Sequence, residues 1–221
     1  MNKIKEKENI KSLLKKDFIL LKIYKKSILL MSLFFLISIV STIKSSSKNN
    51  ISIYIVLISV FYLLFSLSYS SLYIDDGSRF YEYVKFLPIN IKDYVKSKYY
   101  FAGIIYFIEF IIFILIAIFL FNLETLKVPI VLISAQILTG GIIINIFFKY
   151  GQEKVRFIST SLFMMSFLIL LAFTKLGMGL LSIGLLSIYY MKFFPFVFLI
   201  ISIIVFIIFM NKTVKMEEEK C

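Results

Sequence analysis

The chain has 221 residues, of which 60% are hydrophobic and 17% charged, with a formal net charge of +12. A soluble domain is about 45–50% apolar, and the limited interior of one domain cannot absorb the excess, so the surplus faces lipid. The sequence has no histidine and a single cysteine, Cys221, which excludes imidazole metal sites, histidine-based triads and an internal disulfide.

Residues 1–26 carry nine lysines. Ile10, Leu13, Leu14, Leu21 and Tyr24 recur at helical spacing, while Lys11, Lys15, Lys22 and Lys26 fall on another face. This pattern predicts a basic amphipathic helix lying in the lipid headgroup plane. The leader is long for the basic region of a signal peptide and no A-x-A site follows, so the first apolar stretch is expected to be retained.

Six apolar stretches follow, at about 27–43, 51–73, 99–121, 129–148, 157–174 and 195–210, each near the length that crosses a hydrocarbon layer of about 30 Å. Pro129 and Pro195 sit in the first turns of spans, where the missing N–H costs nothing, and Pro88 lies in the longest loop. Basic residues set the orientation. Nine lie in the leader, five in 74–98, three in 149–156 and three in 211–221, against five on the other side (Lys44, Lys48, Lys127, Lys175 and Lys192). The positive-inside rule then puts both termini in the cytoplasm. Tyr69, Tyr73, Tyr99, Tyr100 and Tyr150 fall at the inner interface, where amphipathic rings settle. Residues 176–191 are apolar but short and glycine-bearing. A seventh span there would reverse the C-terminus against its lysines, so a short re-entrant hairpin on the outer side is expected over 176–194. The expected fold is an all-α membrane protein: an interfacial leader (1–26), six transmembrane helices (27–210) with a cytoplasmic loop at 74–98, and a cytoplasmic tail (211–221).

Chemistry-bearing residues are few. Neither G-x-x-x-x-G-K-[ST] nor G-x-G-x-x-G occurs, and a second carboxylate for an intramembrane aspartyl protease is missing from the spans. The one intramembrane carboxylate is Glu109, in span three. A carboxylate at that depth costs about 2.5–3.5 kcal/mol on insertion scales. It reads either as a contact on a substrate pathway or interface, or as a protonated group bonded to a neighbouring helix, with Gln136 or Asn145 of span four as candidate partners. The loop is more informative. Phe80, Tyr83, Val84 and Leu87 recur at i, i+3, i+4 and i+7, one face of a short helix. Asp75, Asp76 and Ser78 precede it as capping candidates, Pro88 ends it, and Asn90 with Asp93 opens the next helix. Its apolar face needs a partner, either the inner leaflet or a cytosolic protein.

The series Asp75-Asp76-Gly77, Phe80-Tyr81-Glu82, Leu87-Pro88-Ile89, Lys92, Val95 and Ser97-Lys98-Tyr99, with the opening Leu13-Leu14-Lys15-Lys16-Asp17, resembles small ABC-2-type transporter permeases. Gly77 and Ser78 stand where charged residues are common in that pattern. The resemblance implies a dimer of six-span units, with itself or with a sister permease, and a separate cytosolic ATPase seated beneath each. That ATPase would hold ATP and magnesium; no cofactor is expected on this chain. The coupling element implied is Arg79, Phe80, Tyr81, Glu82, Tyr83, Val84, Lys85, Phe86 and Leu87. Within it the aromatics would act as buried anchors, with Glu82, Arg79 and Lys85 as the polar rim. The resemblance extends to exporters of amphipathic peptides such as phenol-soluble modulins, which implies a hydrophobic or amphipathic cargo leaving through the cell membrane. The alternative reading is a membrane-bound immunity or sensor protein without transport activity.

Overall fold

In hydrocarbon each backbone N–H and C=O has to be satisfied within its own segment, and among the described residues the ordered elements are all helices, with no strand. The computed structural model describes residues 2–24, 67–75, 80–84, 86–87, 89–120, 127–151, 155 and 193–219. The chain divides into two compact units, Met1–Leu115 and Ile116–Cys221.

The first unit opens with helix α1, Asn2–Leu20, which tightens into a 3-10 turn over Leu21–Tyr24. The described residues 67–75 are helical and belong to α2, and Phe80–Val84 form the short α3. Helix α4, Ile91–Leu120, starts where Asn90 accepts the Lys92 amide on its side-chain oxygen at 3.2 Å and the Asp93 amide on its carbonyl at 2.9 Å. Asn90 is therefore a working N-cap. Asp93, expected as its companion, instead accepts a hydrogen bond from Asn9 of α1 at 2.8 Å.

At 30 residues, α4 is about 45 Å long, well beyond a hydrocarbon layer of about 30 Å. The helix begins at Ile91, as the Asn90 cap predicts, and its charged first turns stand clear of the apolar stretch that starts near residue 99. α2 and α4 run antiparallel: Tyr69 meets Tyr106, with hydroxyls 3.1 Å apart, while Asp75 meets Tyr94.

The second unit pairs α5, Lys127–Tyr150, with α6, Phe194–Glu218. They run parallel, because Gly141 lies against Phe206 and Phe209 while Asn145 reaches Thr213. Parallel packing is what the fourth and sixth spans of an up-and-down chain require. Gly141 makes the close approach possible: a Cβ there would meet the Phe206 ring at 3.2 Å and its Cα at 3.4 Å. Gly151, at φ 82°, ends α5 by giving its amide to the Phe147 carbonyl at 2.9 Å, a left-handed cap that suits glycine. Helix α6 has no side-chain cap at Phe193 and carries Pro195 in its first turn, as expected. It stays helical to Glu218, through the segment expected as a tail.

Among the described residues three helices are long and apolar enough to cross a membrane: Ile91–Leu115, Ile130–Tyr150 and Pro195–Glu218. They correspond to the third, fourth and sixth expected spans. The first and fifth spans, residues 51–66 of the second, and residues 176–192 of the outer hairpin lie outside the described residues. Gly141→Leu is expected to lower the thermal unfolding temperature in detergent, since overpacking costs about 1–3 kcal/mol. Gly103→Ala, where an added Cβ meets nothing within 4 Å, serves as the tolerated control in the same melting series.

Candidate functional site

Four charges from three helices converge in the first unit. Lys16 and Asp17 come from α1, Asp75 from α2 and Lys98 from the third turn of α4. Lys98 Nζ donates to Asp17 Oδ1 at 2.8 Å and pairs with Asp75 Oδ2, while Lys16 Nζ donates to Asp75 Oδ1 at 2.6 Å. The signs alternate along the chain of contacts, Lys16–Asp75–Lys98–Asp17. The Tyr94 hydroxyl adds a hydrogen bond to Asp75 Oδ2 at 3.0 Å. The side chains of Lys98, Asp17 and Asp75 are at most 2% exposed, whereas that of Lys16 is 26% exposed.

Burial dominates the electrostatics. It pushes the Asp17 carboxyl above its ordinary range, with the Lys98 ammonium pulling the other way. It holds Lys16 below the ordinary lysine range, assisted by repulsion from Lys98 and opposed by Asp75. Each charge is costly alone and tolerable only with its partners in place. At the opening of α1, Glu6 pairs with Lys96 at 2.6 Å, and further along Phe18 packs edge-on against Phe101 at 5.3 Å between ring centroids. The inward face of α1 therefore carries Glu6, Asn9, Leu13, Lys16 and Asp17. This is a more polar face than the apolar periodicity of the leader implied, while Lys7, Lys11, Lys15 and Lys22 remain exposed.

Above this cluster lies α3. Phe80 sits under the Lys16 ammonium, 3.5 Å from its ring centroid, and Phe80 and Tyr81 both face the Tyr94 ring at about 6 Å. Val84 is buried. Two further turns, Phe86 N–H to the Tyr83 carbonyl and Leu87 N–H to the Val84 carbonyl, carry the chain out of the helix. Glu82, Tyr83, Phe86 and Leu87 are exposed, Phe86 to 87%. The sequence placed Phe80, Tyr83, Val84 and Leu87 on one face. The structure divides them: Phe80 and Val84 turn into the body, and Tyr83 and Leu87 turn out. A five-residue helix is too short to hold an i to i+7 stripe. Arg79 and Lys85 lie outside the described residues.

The three intramembrane polar residues fall in different units. In the first, Glu109 is fully buried on α4, one turn beyond Tyr106. In the second, Asn145 donates to Thr213 Oγ1 at 2.7 Å, and Thr213 in turn donates to the Phe209 carbonyl at 2.8 Å. Gln136 is fully buried, and neither of its amide atoms has a hydrogen-bond partner among the described residues. Among the described residues no group of acidic, histidine or cysteine side chains is arranged to hold a metal.

A family model described as ABC-2 family transporter protein matches residues 12–218. The chain belongs to the ABC-2 transporter family. No curated protein and no solved structure matches it. ABC-2 permeases are the membrane components of ABC transporters and carry no ATPase of their own, so membership gives this chain a permease role and implies an ATP-binding-cassette partner. Asp17, Asp75 and Lys98, which belong to three separate stretches of the sequence resemblance to these permeases, meet in the one ion cluster. Sequence reading named these residues without joining them. The available signal was that Asp17, Asp75 and Lys98 each lie beside an apolar stretch, where a charge needs a partner.

Removing one member of a buried pair strands the other, typically at a cost of about 3–5 kcal/mol. Lys98→Met is accordingly expected to lower the unfolding temperature of the detergent-solubilised permease sharply, measured by tryptophan-free thermal-shift or light scattering. Gln136→Met should leave that temperature unchanged or raise it, since it removes buried amide atoms that lack partners among the described residues at little cost in volume.

Proposed function

We propose that this ABC-2 permease exports a hydrophobic or amphipathic cargo, of the amphipathic peptide class that includes phenol-soluble modulins. It would act as one of two permease subunits in the cell membrane, with both termini cytoplasmic. A separate cytosolic ATPase, carrying ATP and magnesium, seats on the segment Arg79–Leu87. The observation that carries this reading is the outward cluster of Tyr83 on the short loop helix with Phe86 and Leu87 just beyond it, in a family that depends on a partner ATPase.

The division of α3 gives the loop a mechanical logic. Aromatic side chains in a desolvated pocket are the commonest hot spots of protein interfaces, and Tyr83 and Phe86 offer two of them to a partner. Glu82, exposed beside them, belongs to the polar rim. Phe80, Tyr81 and Val84 face the other way, so a push on the outer face reaches the charged turns of α1, α2 and α4 through packed side chains. The Phe- and Ile-rich surface of the spans suits a cargo with an apolar face. Glu109 then serves as a polar contact for cargo or for the partner permease, with Gln136 and Asn145 on the other unit.

The test is co-purification of the tagged permease with its ATPase from the native host. Tyr83→Ala combined with Phe86→Ala is expected to reduce ATPase recovery at least about tenfold, as loss of a hot-spot residue does, while membrane insertion stays normal. Undiminished ATPase recovery with the double variant would refute the seating on α3. Recovery of the parent chain with no ATPase at all would refute the transporter reading.

A further inference from the structure

Lys16 touches three helices at once. It belongs to α1, its ammonium donates to Asp75 of α2 at 2.6 Å, and the same ammonium sits 3.5 Å over the Phe80 ring of α3. Behind it, Lys98 of α4 joins Asp17 of α1 to Asp75 of α2. Tyr94 closes the arrangement, donating to Asp75 and lying against both Phe80 and Tyr81. The leader is thus bound to the segments on either side of the loop helix and to the loop helix itself.

We infer that Lys16 is a positioning residue that straps the leader to the loop helix, so that α1, the Asp75 turn of α2 and α3 move as one body when the loop helix is displaced. Several features of the site fit this role. A five-residue helix has no stability of its own, so its orientation has to come from tertiary contacts. A cation held between a carboxylate and an aromatic face is directional, because it needs the carboxylate in the ring's neighbourhood and the ring face towards the charge. Apolar contact alone would let Phe80 slide. The alternating signs make the strap cooperative as well: losing Lys16 removes one of the cations that hold Asp75, and Lys98, which also holds it, is shared with Asp17.

The consequence concerns the leader. Its outward face carries Lys7, Lys11, Lys15 and Lys22 with Ile19, a composition that rests on an anionic bilayer surface. A strapped leader converts a displacement of α3 into a displacement of that face along the bilayer surface.

This inference builds on the reading of α3 as the ATPase seat, and two measurements separate the two. The first uses the full chain alone in lipid nanodiscs, with Cys221→Ser and spin labels on cysteines at Lys11 and Tyr83, and reads the distance distribution between α1 and α3. The parent is expected to give one narrow peak. Lys16→Gln should broaden it at least twofold, and Lys16→Arg, which keeps the charge and the ring contact, should restore it. Lys98→Met is a second route to the same broadening. A Lys16→Gln distribution as narrow as the parent's, or a Lys16→Arg distribution as broad as that of Lys16→Gln, would overturn the strap whatever binds α3. The second measurement uses the complete transporter without labels. In the ATPase-bound fraction of Lys16→Gln, transport per ATP hydrolysed is expected to fall about tenfold, and Lys16→Arg should recover most of it. Parent-like transport per ATP in Lys16→Gln would overturn the strap's part in coupling. Loss of ATPase recovery by Tyr83→Ala with Phe86→Ala tests the seat alone.

Discussion

The first unit depends on one electrostatic constraint: two carboxylates and two ammonium groups from three helices share a nearly dry space at the end of the apolar segments. A buried ion costs several kcal/mol in desolvation and is tolerated only with good partners. Asp17, Asp75 and Lys98 therefore cannot be placed independently. The position of α1 follows from α2 and α4, and the start of α4 is fixed by what its first turns have to meet. The ten or so residues of α4 beyond the apolar stretch are the platform on which this is built. Asp93, Lys96 and Lys98 all project from them to α1, and Tyr94 from the same turns to α2 and α3. Net stabilisation is not the main product of such a cluster. Removing one partner strands the other, so the cluster ties the positions of the three helices to one another.

The loop helix inherits its orientation from that platform. Phe80 and Tyr81 are held by a cation and by Tyr94, and Val84 is buried. Their commitment to the inside is what turns Tyr83 and Phe86 outward. Exposed aromatic side chains of this size on a short helix are costly to leave in water, and a surface of that kind marks a place of contact. The inner and outer faces of α3 therefore serve different purposes, although they are interleaved residue by residue in the sequence.

The second unit is held by different physics. In lipid there is little hydrophobic force between helices, and association relies on close packing and interhelical hydrogen bonds. Gly141 provides the first, letting the α5 backbone approach Phe206, and Asn145 with Thr213 provides the second. Helix α6 is otherwise exposed along much of its length, with Val197, Ile200, Ile204, Ile207 and Ile208 among its outward side chains, as a lipid-facing helix is. Among the described residues the two units thus differ in their polar contacts: charges gathered at one end of the apolar segments in the first, a neutral Asn145–Thr213 hydrogen bond between helices in the second.

Composition and periodicity by themselves determined the class of protein, the third, fourth and sixth spans and the N-cap at Asn90. They also determined the presence of a helix in the long loop. Each of these follows from local physics: hydrocarbon thickness sets span length, and a polar side chain ahead of an apolar run sets a helix start. The motif residues also carried enough information to indicate the ABC-2 family. Which charges meet was decided only by the tertiary structure, because Lys16 and Asp75 are remote in sequence and nothing local distinguishes Lys16 from the other lysines of the leader. The same holds for α3. A stripe of four apolar residues is a statement about a long ideal helix, and the real helix ends before the stripe closes. The direction in which Tyr83 and Phe80 point was settled by the burial of Val84 and the position of Lys16, which is information the sequence of the loop does not contain.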